Sequence, residues 1–186
     1  MTTSLEAAAM IGRFQPFHLG HLELVRQILN EKEEIIILVG SSQANYTPKN
    51  PFTAGERLWM IRDTLIESKI DMSRVFLVNV TDDENNSRWF SNIKSMSPPF
   101  KVLYTGNNFV INLLKSETVL IREPKLFQEN ILKGSVIRKL ILENSPKWQE
   151  LVSKSVRKIF VEINAVERIR NIYQTWTDSP FSGANK

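Results

Sequence analysis

The sequence predicts an α/β fold built on a parallel, doubly wound sheet of about five strands, with C-terminal helices packed on the same domain. Three observations carry this expectation. Short apolar runs alternate with segments of helical periodicity as far as residue 121. The run Ile35-Ile36-Ile37-Leu38-Val39 is continuous, as expected of an interior strand covered on both faces. Beyond Pro124 only helical periodicity remains.

Each element has its own reason. Residues 7–11, Ala-Ala-Ala-Met-Ile, read as a short buried strand, and from 19 to 30 apolar residues recur at Leu22, Val25, Ile28 and Leu29, which is helical spacing. A second strand over 34–40 ends at Gly40, and Pro48 and Pro51 prevent its continuation. Thr53-Ala54-Gly55-Glu56 is a capping box that opens a helix to about residue 68, with Leu58, Ile61 and Leu65 on its apolar face. Strands over 74–80, 101–105 and 118–121 alternate with helices over 87–95 and 107–115. Helices over about 135–143 and 146–176 follow. Residues 1–177 are expected to form one domain, helical from about residue 133, with 178–186 a flexible tail.

Composition narrows the chemistry. With 186 residues, 42% hydrophobic and 24% charged, the chain can bury a core without disulfides or a structural metal. It has no cysteine, which excludes disulfides, thiolate metal sites and cysteine nucleophiles. The net charge of +4 is too mild to mark a nucleic-acid binder and suits small anionic ligands. No basic n-region precedes the first apolar run, and Arg13 breaks that run well short of a membrane span. A cytoplasmic protein without membrane or nucleic-acid partners is the expectation.

The chain's only two histidines, His18 and His21, stand three residues apart where the first strand gives way to the first helix. Residues at i and i+3 share a helix face, and a helix N-terminus offers unpaired N–H groups and partial positive charge to phosphate oxygens. Gly12 and Gly20 allow close approach of the backbone, and Pro16 stiffens the turn. A His-x-x-His metal site would want a third ligand, and a structural histidine pair leaves these companions unexplained.

The string Gly12-Arg13-Phe14-x-Pro16-x-His18-x-Gly20-His21 resembles the signature of the His-x-Gly-His nucleotidyltransferase superfamily, whose members share a Rossmann-like fold. Gly40-Ser41-Ser42-Gln43, Asn50-Pro51-Phe52-Thr53-Ala54-Gly55-Glu56-Arg57 and Trp89 with Asn86 before it resemble the archaeal type of nicotinamide-mononucleotide (NMN) adenylyltransferase. Pro98-Pro99-Phe100, Tyr104-Thr105-Gly106-Asn107 and Glu162-Ile163-Asn164-x-Val166-Glu167-Arg168-Ile169 extend the likeness over nearly the whole chain. The second signature of the superfamily falls on Lys133-Gly134-Ser135-Val136-Ile137-Arg138, with Lys133 in place of the usual Ser and Ser135 in place of Thr. Lys49 stands where some members have Arg.

The resemblance implies transfer of AMP from ATP to NMN, giving NAD and pyrophosphate, with Mg²⁺ entering on the phosphates rather than on protein ligands. It implies catalytic donors His18, His21, Arg13, Arg138 and Lys49, and ATP contacts from Gly12, Phe14, Gln15, Gly20, Gly106, Asn107, Lys133 and Ser135. It implies NMN contacts from Ser41, Gln43, Arg57, Asp82, Asn86 and Trp89, and a homo-oligomer, typically a hexamer. Arg57 reads equally as a phosphate contact or as the partner of a carboxylate. Lys154, Arg157, Lys158, Arg168 and Arg170, interleaved with Glu162 and Glu167, read as a solvated helix face. The alternatives are an adenylyltransferase for flavin mononucleotide or phosphopantetheine and a non-catalytic nucleotide sensor. A cytidylyltransferase is disfavoured, because its Arg-Thr-Glu-Gly-Ile-Ser-Thr stretch is missing.

Overall fold

Strands β1 (Ala7–Gly12), β2 (Glu34–Val39), β3 (Val75–Asn79), β4 (Val102–Tyr104) and β5 (Leu120–Arg122) pair in parallel in the order β3-β2-β1-β4-β5. The computed structural model describes residues 7–83, 85–115, 117–124 and 130–177; the expected tail over 178–186 and the side chain of Asn86 lie outside the described residues. Side chains alternate across each strand, so β1 sends Ala8 and Met10 into one core layer and Ala7 and Ala9 into the other. The small alanines of this central strand let helices approach it from both sides. β2 alternates likewise, with Ile35, Ile37 and Val39 in the first layer and Ile36 and Leu38 in the second, which explains its continuous apolar run.

Helices α1 (Leu19–Glu31) and α2 (Ala54–Glu67) cover the first layer, and α3 (Asn86–Met96) and α4 (Asn108–Leu113) the second. The predicted capping box at α2 forms: Glu56 N–H donates to Thr53 Oγ1 at 3.2 Å, and Thr53 N–H donates to Glu56 Oε2 at 2.9 Å. α1 ends without a basic residue in its last turn, and its carbonyls are met from elsewhere in the chain. Arg74 closes a short 3-10 turn, Met72–Arg74, ahead of β3 and donates to the carbonyls of Leu29, Lys32 and Glu33 at 2.9, 2.8 and 2.6 Å. This turn takes the position that the sequence assigned to the start of the strand.

The C-terminal part corrects one expectation. In place of a single helix over 146–176, the chain forms a 3-10 segment (Pro146–Leu151), α6 (Lys154–Glu162) and α7 (Ala165–Thr177), after α5 (Gly134–Leu142). The apolar periodicity runs through both breaks, which is why it hid them. The breaks belong to two polar residues. Ser153 is extended, and its hydroxyl accepts the Val156 N–H at 3.1 Å; Asn164, at φ 51°, turns the chain between α6 and α7. Trp148, Val156, Phe160 and Ile169 join the first core layer, with Phe160 packed 5.1 Å from Trp148 and 5.2 Å from Phe52 between ring centroids. α6 is also capped from α2, where Glu67 accepts the backbone N–H groups of Lys154 and Ser155.

Charge-assisted hydrogen bonds to carbonyls at a helix C-terminus contribute roughly 1.5–3 kcal/mol, and orphaned carbonyls add a penalty of similar size. Arg74→Ala is therefore expected to destabilise the fold by about 2 kcal/mol or more, read as a lower urea midpoint at unchanged slope. An unchanged midpoint would contradict this account of how α1 ends.

Candidate active site

In a sheet ordered 3-2-1-4-5 the connections diverge between β1 and β4, and the crevice beyond the carboxyl ends of those strands is the expected ligand position. The loops after β1 and β2 meet there under strain. Phe14 and Ser41 both adopt left-handed backbone, at φ 52° and 49°, which costs a residue other than glycine about 1–3 kcal/mol. Gly12 permits the first of these turns, since a Cβ there would lie 2.9 Å from the Phe14 ring.

Arg57, fully buried, holds both loops in place. Its Nη1 donates to the carbonyls of Arg13 (2.9 Å) and Gly40 (2.7 Å), its Nη2 to Ser41 (3.1 Å) and its Nε to Thr53 (3.2 Å). Burial, partly countered by Asp82 and reinforced by Arg13, brings its pKa down to about 10, so it remains a cation at neutral pH. Of the two readings that the sequence allowed, neither describes this clamp on backbone carbonyls. Gln15 ties the same loops together at a second point, accepting the Phe52 N–H at 2.9 Å and donating to the Phe52 carbonyl at 3.0 Å.

Beyond this clamp α1 begins. His18 caps the helix in extended backbone, and its N–H donates to His21 Nδ1 at 3.3 Å. Because Nδ1 of His21 accepts, the neutral ring carries its proton on Nε2 and presents a donor there. The two imidazoles stack with centroids 3.5 Å apart, and Phe14 packs edge-on to His21 at 4.8 Å while Phe17 stacks on it at 5.3 Å. Burial pushes the pKa of His18 down to about 3; burial, with His18 adding to it, holds His21 well below its ordinary 6.5. Both rings are neutral donors at pH 7, and Nδ1 of His18 is buried without a partner in the structure.

α5 brings a second helix N-terminus to the same place. Gly134 lies so close to the first loop that a Cβ would fall 2.8 Å from the Gln15 carbonyl, and Arg138 donates to that carbonyl at 2.6 Å. The cap position is Lys133, so Ser135 stands inside the first turn of the helix. Arg138 is buried with its Nε lacking a partner. The Arg13 pKa is lowered by desolvation and by the Arg138 cation, against the pull of Asp82. Two mutually repelling guanidinium groups beside neutral imidazoles and two helix N-termini make an electropositive pocket whose chemistry suits an anion.

Two cavities share this region. The first, about 350 Å³, is lined by Arg13, Phe14, Gln15, His18, Gly20 and His21 from the first loop and α1, and by Lys133, Gly134, Ser135 and Arg138 from the start of α5. Leu24 and Leu132 complete it, and Gly20 lets Leu132 and His18 close in, since a Cβ there would lie 3.0 Å from Leu132 and 3.2 Å from His18 Nδ1. The second, about 310 Å³, has Ser41, Asp82 and Trp89 on the β2–β3 side and Thr105, Gly106, Asn107 and Phe109 on the β4 side, with Gly12 between. Arg13 borders both.

Among the expected site residues whose side chains are described, Gln43, Lys49 and Arg57 line neither cavity. Gln43 exchanges hydrogen bonds with Asp82, donating to Oδ2 at 3.2 Å and accepting the Asp82 N–H at 3.1 Å; Lys49 is exposed on a turn; Arg57 lies behind the loops. Asn107 caps α4, accepting the Phe109 N–H at 3.0 Å, and Trp89 is almost wholly buried at the cavity wall. Gly134 and Thr105 stood within the quoted strings but were given no contact of their own, and Phe109, without a local signal, was passed over.

Residues 9–162 match the family model described as cytidylyltransferase-like, and the chain belongs to this nucleotidyltransferase family. Within it the chain belongs with the archaeal-type nicotinamide-nucleotide adenylyltransferases. It is 48% identical to the enzyme of that name from Pyrobaculum aerophilum over 89% of this chain and 93% of the relative. It is 38% identical to the one from Methanolobus tindarius over 94% and 98%. Among solved structures the fold resembles a bifunctional NMN adenylyltransferase/ADP ribose pyrophosphatase from Francisella tularensis, complexed with AMP and a manganese ion (TM-score 0.70, 20% identity, 95% of this chain and 57% of that one). It also resembles a Plasmodium falciparum nicotinic acid mononucleotide adenylyltransferase complexed with NaAD (TM-score 0.62, 15% identity, 87% and 97%).

The buried histidines make stability depend on pH. Each has a folded pKa below its unfolded value, so its contribution is fully present above pH 6.5 and is lost as the pH falls, when the unfolded chain binds a proton and the folded chain does not. For His18 the loss is about 1.4 kcal/mol per pH unit below 6.5. Urea midpoints between pH 7.5 and 5.0 should fall in the native chain and fall less steeply in His18→Gln. Parallel pH profiles would refute this assignment.

Proposed function

We propose that the chain transfers AMP from ATP to NMN, forming NAD and releasing pyrophosphate, with the reacting phosphorus between the two cavities. The observation that carries this reading is Arg13, which borders both, so that one guanidinium faces the phosphates of donor and acceptor together. The first cavity takes the triphosphate against His18, His21, Arg138, Lys133 and Ser135. In the second, Gly106 and Asn107 take the adenosine end of ATP and Trp89 and Asp82 the NMN, with Ser41 and the Asn86 segment beside them. The cationic nicotinamide ring suits an indole face and a nearby carboxylate.

The attacking group is an oxygen of the NMN phosphate. It forms a bond to the α-phosphorus of ATP as the bond to pyrophosphate breaks in line. With a second pKa near 6, that phosphate is already an anionic nucleophile at neutral pH, so no general base is required. The protein's task is orientation and charge stabilisation. Arg13 and Arg138 neutralise oxygens of the transferring and leaving phosphates, and His21 donates from Nε2 as charge builds on them. Lys49 serves as a further point charge at the rim. Gln43, Gln15 and Arg57 keep the two loops in register.

The first cavity's polar lining is basic or neutral, with no carboxylate, so its donors fit a Mg²⁺ held on phosphate oxygens and not on the protein. Bound there, Mg²⁺ would supply charge neutralisation on the triphosphate. Among the described residues no helix is long and apolar enough to cross a membrane. A cytoplasmic location and a homo-oligomeric, hexameric assembly remain part of the proposal and rest on sequence and resemblance.

Pyrophosphate release with ATP and Mg²⁺, assayed against NMN, flavin mononucleotide and phosphopantetheine, tests the acceptor. Turnover only with NMN is expected, and turnover only with another acceptor would overturn the reading. His21→Ala should keep the fold and some nucleotide binding while lowering kcat roughly a hundredfold, as removal of a transition-state donor does. Unchanged kcat would remove His21 from the mechanism.

A further inference from the structure

Lys49 has a peculiarity as a phosphate donor, because it sits on an exposed turn that belongs to no helix or strand. The turn is closed by reciprocal backbone bonds, Thr47 N–H to the Asn50 carbonyl at 3.2 Å and Asn50 N–H to the Thr47 carbonyl at 3.0 Å. A lysine is a point charge on four rotatable bonds, without the fixed fork of arginine, so where it can deliver its charge depends on where its backbone is held.

α7 holds that backbone on the approach to Lys49. The Tyr173 hydroxyl donates to the carbonyl of Pro48, the residue immediately before Lys49, at 3.2 Å. Five residues earlier on α7, Arg168 places its guanidinium 5.1 Å from the centroid of the Tyr46 ring. Arg168 is itself fixed, with Nη1 on both oxygens of Glu56 at 2.7 and 2.8 Å and Nη2 on the Ile163 carbonyl at 3.2 Å. Glu56 belongs to the cap of α2, just beyond the Asn50-Pro51-Phe52 segment. The chain around Lys49 is thus tied to the same helix that anchors on α2.

We propose that α7 is a latch that sets the position of Lys49 relative to the phosphate site, with Tyr173 and Arg168 as its positioning residues. The latch touches no substrate and acts through the Pro48 carbonyl and the Tyr46 ring. It rests on Lys49 contacting a substrate phosphate, as proposed above.

The test is a double-mutant cycle on the full chain with Tyr173→Phe and Lys49→Ala, reading KM for ATP and NMN, kcat and Tm. Tyr173→Phe removes one neutral hydrogen bond and is expected to raise the KM of one nucleotide about two- to tenfold, with kcat within about twofold. In the Lys49→Ala background the same change should alter KM by less than about 1.5-fold, because the group it positions is gone. An equal rise in both backgrounds, or none in the native chain, overturns the latch while leaving the role of Lys49 standing. If Lys49→Ala alone leaves every KM unchanged, the phosphate role of Lys49 falls and the latch with it.

Discussion

Arg57 is the constraint on which the site depends, since two strand-ending loops meet above the sheet and both pass through left-handed backbone at residues other than glycine. Carbonyls that point inward from such loops must find donors, or each costs about 1–3 kcal/mol. A single buried guanidinium supplies them, with hydrogen bonds to Arg13, Gly40, Ser41 and Thr53. Desolvating that cation costs several kcal/mol, which four charge-assisted bonds of roughly 1.5–3 kcal/mol each offset. Arg13, whose own carbonyl is one of the four, is thereby held where it borders both cavities.

From that frame the rest of the site follows in order. Gln15 locks the first loop to Phe52, and the backbone of Gln15 in turn receives Arg138 from α5. The absence of a side chain at Gly134 allows this approach, because a Cβ would meet the Gln15 carbonyl. Two helix N-termini so become neighbours, although α1 and α5 are separated by most of the sheet in sequence. The convergence of their partial charges with Arg13 and Arg138 is a property of the fold and of no single motif.

Much of this was legible in the sequence where the signal is local. The five strands, the capping box at Thr53 and the strand-loop-helix around His18 and His21 each follow from periodicity or from residues within four positions of one another. Contacts between distant residues left no such trace. The carbonyl partners of Arg57 at Arg13 and Gly40 lie 44 and 17 residues away, and the Tyr173 bond to Pro48 spans 125. Arg168 looked like one charge in an alternating helix face, yet its pairing with Glu56 leaves its side chain only 18% exposed. The split of the last helix was missed for a different reason. Ser153 and Asn164 break the backbone without interrupting the apolar period, so the pattern that identifies helices is blind to them.

The choice of imidazole for two of the donors has an electrostatic basis. Burial already lowers the pKa of Arg13, and repulsion from Arg138 lowers it further, against the pull of Asp82. Permanent cations at positions 18 and 21 would add to that repulsion in a partly desolvated space before any anion arrives. Histidines avoid it, because burial keeps both neutral while Nε2 of His21 still offers a proton to an oxygen. The stacked pair at 3.5 Å fits this arrangement, since two neutral rings can share a distance that two imidazolium ions would not tolerate.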